Sequence, residues 1–348
     1  MFIKNCWYVA AWSSEVEAGK PFARTLLDIP VVLWRDASGK VVAMADRCSH
    51  RGAPLSTGRL EGDSLRCMYH GLRFDAQGRC LEIPAQERVP PGLDVQVFPV
   101  VEQHKWIWIW MGDPAKADVS KVPDNHYLDD PAWRSHEGYV LYDTNYLLIA
   151  DNLLDLAHVS YVHESTLGGT DDIAKVNAKI QLSDDGVHVE RWVRDTAPAP
   201  FIQKVRPFDG PVDRWMNYDF LLPAIFLMDS GNAAAGTGAP EGHRVDAAEF
   251  RSTQALTPES AESTHYFFAQ PHNFLIEQPE ITRVIHEAVV KAFMEDFRMI
   301  HDQARNLRRR SNQNFKMGPI RADEALGKFR WLVQKRLDEE ARAEKAQA

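Results

Sequence analysis

"RCSHRGAPLSTG" (47–58) sets a cysteine and a histidine two positions apart, Cys48 and His50, on a stretch that the following Gly and Pro mark as a loop. A second fragment, "RCMYHG" (66–71), carries Cys67 and His70. Together they read CxH, sixteen intervening residues, then CxxH. One such pair is a weak signal. Two of them on adjacent turn-rich loops make a ligand set.

Two cysteines and two histidines suit a tetrahedral zinc, or a [2Fe-2S] cluster with both thiolates on one iron and both imidazoles on the other. Zinc fingers usually pair CxxC with HxxxH, whereas each loop here offers one ligand of each type. That interleaving favours the second arrangement, the Rieske cluster, with structural zinc as the alternative. Imidazole in place of thiolate removes negative charge and raises the potential, so the cluster accepts electrons readily from a ferredoxin or flavin. Cys6 and Cys80 fall outside the pattern and read as small core residues.

Around these loops the chain reads as short strands and turns up to about residue 112: "PVVLWRD" and "KVVAMAD" joined by "ASGK", then "LRFDAQGRCLEI" around a Gly-containing turn. "KWIWIWM" (105–111) is apolar on both faces, which predicts a strand buried on two sides. "GDPAKADVSKVPD" (112–124) then reads as a linker, so residues 1–124 are expected to form a β-domain and 125–348 a second domain. In that second part "YLLIADNLLDLAHVSYVHES" (146–165) has helical spacing without Gly or Pro, strand-like segments such as "VHVERWVRD" and "RWMNYDFLL" follow, and the last third holds two more helices. The second domain is therefore α+β. "GNAAAGTGAP" (231–240) is expected to be a mobile loop.

The predicted helix carries a further cluster: Asp151, Asn152, Asp155, His158 and His163. Asp155 and His158 are three apart, so on a helix they share a face and the carboxylate can orient the imidazole. His158 and His163 are five apart, about 140° around a regular helix, and converge on one metal only if the helix ends or bulges between them. Two histidines and one carboxylate leave open positions on Fe(II) for oxygen and substrate. "AFMEDFRMIHD" offers Glu295 and Asp296 for the missing acid, and spacing alone does not choose between them or separate them from ordinary helix-surface acids.

The net charge of −9 argues against nucleic acid or an anionic membrane as partner. Arg305 to Arg310 reads as a solvated helix end. The N-terminus lacks the pattern of a signal peptide, and no stretch approaches the roughly 20 apolar residues of a membrane helix. A cytoplasmic location follows as the expectation, with the four cysteines reduced.

With both ligand sets in view, the chain resembles the oxygenase component of the Rieske non-haem iron oxygenases over essentially its whole length. "NCWYVAAW", "DRCSHRGAPLS", "YHGLRFDAQG" and "DNLLDLAHVSYVH" are most similar to the vanillate O-demethylase, dicamba demethylase and toluenesulfonate methyl-monooxygenase group, and "GTGAPEGHRV" to the last of these. The resemblance implies a Rieske β-domain followed by a helix-grip catalytic domain, an antiparallel sheet with helices. It implies that Cys48, His50, Cys67 and His70 hold the cluster and that His158, His163 and Asp296, the second acid of the "ED" pair, hold mononuclear Fe(II). Asn152 falls where some members place a weak or distant iron neighbour. A homotrimer is implied, in which Asp155 bridges His70 of one subunit to His158 of the next.

Such a site uses O₂ and two electrons per turnover. No GxGxxG follows a strand, so the electrons must come from a separate NAD(P)H reductase. Hydroxylating a methoxy carbon gives a hemiacetal that collapses to phenol and formaldehyde; hydroxylating an aryl methyl group gives a benzylic alcohol. Candidate pocket residues are Trp215, Phe220, Phe226 and Met228, and an aromatic acid would want a cation such as Arg191, Arg206, Arg214 or Arg251. A ring dioxygenase making cis-diols, a pure Rieske electron carrier and a zinc-stabilised binding protein are the rival readings. A carrier has no need of some 220 further residues with a histidine pair.

Overall fold

The computed structural model describes residues 1–312 and 314–347. The chain divides into two compact units: Met1–Asp124 with Thr257–Ala261, and Asn125–Leu256 with the chain from Glu262 onward. The short 257–261 segment carries no composition signal that would have set it apart.

The first unit is built of three small sheets. Trp106–Trp110 is the middle strand of one, between Trp7–Trp12 and Val100–Gln103, and every residue of it is buried, as its two apolar faces require. Phe22–Leu26, Ile29–Arg35, Val41–Ala45 and Val97–Phe98 form the second. Arg59–Leu60, Ser64–Arg66, Arg73–Asp75 and Cys80–Glu82 form the third, which carries the second cysteine loop at the hairpin joining Ser64–Arg66 to Arg73–Asp75. Cys48, Cys67 and Cys80 lie in one apolar core with Trp34, Leu65 and Phe74. At about 1.5–3 kcal/mol for each large side chain withdrawn from water, this core is what fixes the loops.

The second unit is one twisted eight-stranded sheet. Along it run Gly138–Tyr142, Thr264–Ala269, Ala248–Pro258, Ile225–Ala234, Val212–Leu221, Gly186–Glu190 and Lys179–Leu182, with Trp192–Thr196 also paired on Val212–Leu221. The expectation of a loop at 231–240 fails in part. Gly231–Ala234 completes a long strand paired to Val212–Trp215, because Gly231 is the position where Trp215 lies across the neighbouring strand; a Cβ there would sit 2.3 Å from the indole.

Among the described residues six α-helices accompany the sheet: α1 (Tyr146–Leu154), α2 (Val159–Val162), α3 (Asp172–Lys175), α4 (Pro200–Val205), α5 (Pro279–Leu307) and α6 (Glu324–Gln347). α5 buries Thr282, Ile285, Val289, Ala292, Phe293, Asp296, Ile300 and Ala304, an i, i+3, i+4 stripe. Phe293 and Phe297 on this stripe's side meet Tyr266, Phe268 and Tyr142 of the sheet at ring centroid distances of 4.8–5.3 Å. No helix among the described residues is long and apolar enough to cross a membrane.

Candidate metal centres

The two cysteine loops share one construction. In the first, Cys48 N–H donates to Ala53 O (2.8 Å) and Gly52 N–H to Cys48 O (2.9 Å); in the second, Cys67 N–H donates to Leu72 O (2.8 Å) and Gly71 N–H to Cys67 O (3.0 Å). The closing residue is in each case a glycine with positive φ, +72° at Gly52 and +79° at Gly71, four residues after its cysteine. The histidines differ in offset, two against three, yet the rings meet with centroids 4.6 Å apart. Both thiols are buried, and both imidazoles are exposed. Burial, with the second thiol close by, pushes the Cys48 thiol up to about 11. Two adjacent buried thiols and two adjacent exposed imidazoles fit a two-iron cluster with its sulfur-ligated end dry and its imidazole end at the surface. Arg66 braces the second loop, donating to Gly71 O (2.6 Å) while paired to Glu61 and Glu82.

The helix expected over 146–165 is broken instead into segments of different pitch. α1 ends at Leu154; Asp155, at φ −122° and ψ 89°, starts a 3-10 turn over Leu156–His158; α2 follows; and Glu164–Gly168 is a π turn. Asp155 makes the break, because its carboxylate accepts from Ala157 N–H (2.9 Å) as a cap, while Tyr218 Oη–H satisfies the freed Leu154 carbonyl (2.8 Å). The carboxylate therefore does not orient His158 as a continuous helix would allow. Its backbone carbonyl does, lying 2.5 Å from His158 Nδ1.

The break brings His158 and His163 together with Asp296, one donor atom from each within 4.8 Å of the others. His163 Nε2 lies 3.1 Å from one Asp296 oxygen, and His158 Nε2 3.5 Å from the other. Asn152 Nδ2 donates to Asp296 (3.0 Å) rather than turning its oxygen to the site, and Asp151 is taken by Arg330 of α6. Glu295, the other acid of the pair, lies at His163 Nδ1 (2.8 Å) and accepts a second bond from Thr166 Oγ1 (2.8 Å). Both imidazoles thus have Nδ1 engaged and Nε2 directed at the shared carboxylate, which is how a metal-binding histidine is normally held. Burial disfavours charge on both rings. It prevails at His158, whose pKa is lowered, but at His163 the Asp296 and Glu295 carboxylates outweigh it and raise the pKa. Buried Asp296 calls for a positive charge beside it, and two imidazoles with one carboxylate fit Fe(II).

A cavity of about 110 Å³ opens beside His163 and Asp296. Phe226, Met228 and Trp215 border it as expected, with Leu153, Val159 and Phe293. Phe220 does not; it packs on Phe329 of α6 at 4.6 Å. Of the four arginines only Arg214 borders the cavity. Arg206 donates to Asp246 O, Arg251 pairs with Asp229 beneath Tyr127 and Trp133, and Arg191 is buried away from the cavity.

Residues 6–99 match the family model of the Rieske [2Fe-2S] domain, and 142–339 that of the vanillate O-demethylase oxygenase C-terminal domain. The chain is 45% identical over 344 residues, 98% of each chain, to the iron-sulfur subunit of the toluene-4-sulfonate monooxygenase system of Comamonas testosteroni. It is 38% identical over 301 residues to the oxygenase component of dicamba O-demethylase of Stenotrophomonas maltophilia, covering 86% of this chain and 87% of that one. A crystal structure of dicamba monooxygenase with non-heme iron and dicamba superposes with a TM-score of 0.84 at 34% identity, covering 98% of this chain and 99% of that one. The chain belongs to the Rieske non-haem iron oxygenases, in the branch whose catalytic half is the vanillate O-demethylase oxygenase C-terminal domain.

Proposed function

We propose that this chain is the terminal component of a Rieske monooxygenase system that hydroxylates a methyl or methoxy group of a small aromatic acid. The observation that carries the reading is the convergence of His158, His163 and Asp296, the last two on the wall of a largely apolar cavity, in a chain that also bears two matched Cys/His loops. The named relatives, a toluene-4-sulfonate monooxygenase subunit and a dicamba O-demethylase component, support the substrate class.

In this reading Cys48, His50, Cys67 and His70 hold the [2Fe-2S] cluster, and His158, His163 and Asp296 hold Fe(II). The bound iron supplies activation of O₂ with electrons delivered through the cluster. Glu295 and the Asp155 carbonyl fix the two imidazoles by their Nδ1 atoms, and Asn152 steadies Asp296. The apolar lining orients the ring and limits water at the reacting carbon. Electrons come from a separate NAD(P)H-dependent reductase of flavin or ferredoxin type, received at the exposed His50 and His70 edge. We infer a homotrimer in which Asp155 lies between His70 of one subunit and His158 of the next, and a cytoplasmic location, consistent with four cysteines that form no disulfide. Nucleic acid and membrane have no part in it.

Metal and acid-labile sulfide analysis should give about three irons and about two sulfides per chain, with a brown colour that bleaches on reduction. Turnover of 4-methoxybenzoate with ¹⁸O₂ and a reductase should then give unlabelled phenol with formaldehyde that carries the label, and turnover of toluene-4-sulfonate the benzylic alcohol with one labelled oxygen. A cis-diol carrying two labelled atoms would establish the ring dioxygenase in its place, and zinc without sulfide would remove the enzyme reading.

A further inference from the structure

Arg214 is a charge without a counter-charge. It is 6% exposed, and its Nη1 and Nη2 donate only to the backbone carbonyls of Gly168 (2.8 Å) and Leu167 (2.9 Å) at the end of the π turn. No carboxylate among the described residues pairs with it. Asp172 acts on it only at a distance and is itself bonded to Thr196. Burial lowers its pKa to about 10, which still leaves it protonated at neutral pH. A buried cation held by two neutral acceptors retains most of its desolvation cost, and an anion is what relieves it.

Arg214 borders the same cavity as His163 and Asp296. Its cross-strand partner is Asn232, which also borders the cavity, is 5% exposed and has a buried Oδ1 with no hydrogen-bond partner. Exchange of the two amide positions, which are nearly isosteric, presents an N–H donor there instead. Ser230 and Ser252 add hydroxyls to the cavity wall, while Phe226, Met228 and Phe293 line it with apolar surface. The cavity thus has metal ligands, an apolar body, and a polar group centred on one guanidinium.

We propose that Arg214 and Asn232 form the subsite that binds the oxyanion group, carboxylate or sulfonate, of the substrate, the guanidinium giving the charge and the amide a further hydrogen bond. This rests on the aromatic-acid reading above and names the residues that impose it. An uncharged substrate would leave the guanidinium unrelieved and be rejected, since a site built for a polar partner discriminates strongly against its absence.

The test is calorimetric binding to the oxidised holoenzyme, using 4-methoxybenzoate and toluene-4-sulfonate against their uncharged counterparts 4-methoxybenzamide and toluene-4-sulfonamide. The unaltered protein should prefer each acid to its amide. Arg214→Gln should weaken the acids about 10- to 100-fold, the loss of a charge-assisted hydrogen bond, and shift the amides by less than about threefold. Arg214→Lys should recover part of the loss. Asn232→Asp, which keeps the shape and adds a repelling charge, should weaken acids more than amides and needs no change at Arg214 should the glutamine variant fail to fold. The larger of the two acid preferences identifies the oxyanion. Equal losses for acid and amide, or an acid preference that survives both Arg214→Gln and Asn232→Asp, would overturn the subsite. So would the absence of any preference in the unaltered protein. Product formation from the same acids, measured in parallel, shows whether the oxidation reading stands when the subsite does not.

Discussion

All four candidate ligands of the first centre fall between residues 48 and 70, on two loops closed by the same pair of hydrogen bonds. In the second centre His163 and Asp296 are 133 residues apart, and each donor is held by a different partner: Glu295, the Asp155 carbonyl, Asn152. The first is a local structure whose geometry comes from turns and glycines. The second is a tertiary structure that exists only when α5 lies on the sheet. Loop geometry should therefore limit the first and packing the second.

The largest effect should follow from Asp296→Ala. It removes the one carboxylate of the triad and should reduce turnover to background while the visible spectrum of the cluster survives; simultaneous loss of both signals would mean the centres are not built independently. Glu295→Gln comes next. It leaves His163 in place but weakens the hold on Nδ1, and iron affinity and turnover should fall about 10- to 100-fold, as for other partners of metal-binding histidines. An unchanged iron content would make Glu295 an ordinary surface acid after all.

Gly71→Ala tests the first centre. A Cβ there meets a positive φ and Pro84 at 2.7 Å, so we expect about 1–3 kcal/mol of destabilisation, read as a lower midpoint for thermal bleaching of the cluster with Asp296-dependent iron retained. Thr166→Val should have the smallest effect, about 1 kcal/mol, because it removes only the hydroxyl that steadies Glu295. Its signature is a few-fold loss of iron affinity, and an effect as large as that of Glu295→Gln would shift the main hold from the carboxylate to the hydroxyl.

The same contrast explains what could be read from the chain alone. Cysteine and histidine spacing reports a local structure, so the first centre was legible from residues 47 to 71, and the shared glycine four residues after each cysteine was there to be seen as well. The strands buried on both sides were legible because "WIWIW" has no polar face. The broken helix was not, since apolar periodicity through 146–165 hides a cap. Only Asp155 within "LLDLA" signals it, and a mid-helix aspartate is too common to decide. That Asp296, and not Glu295, groups with both histidines was readable after all. Asp296 is in step with Ile285, Val289, Phe293 and Ile300, an acid on an apolar stripe, whereas Glu295 is turned roughly 100° away. Arg214 could not be singled out, because nothing in a sequence distinguishes a buried guanidinium without a counter-ion from one with it.

The segment from α1 to Gly168 passes through α, 3-10, α and π geometry within a few turns. Such a run lacks a single continuous ladder of backbone hydrogen bonds, so it can open locally without unravelling the long α5 that carries Asp296. Iron held between the two would act as a clasp whose removal costs one element far more than the other. Amide exchange should record this as an asymmetry: stripping the iron would hasten exchange at residues 156–168 and leave the centre of α5 slow.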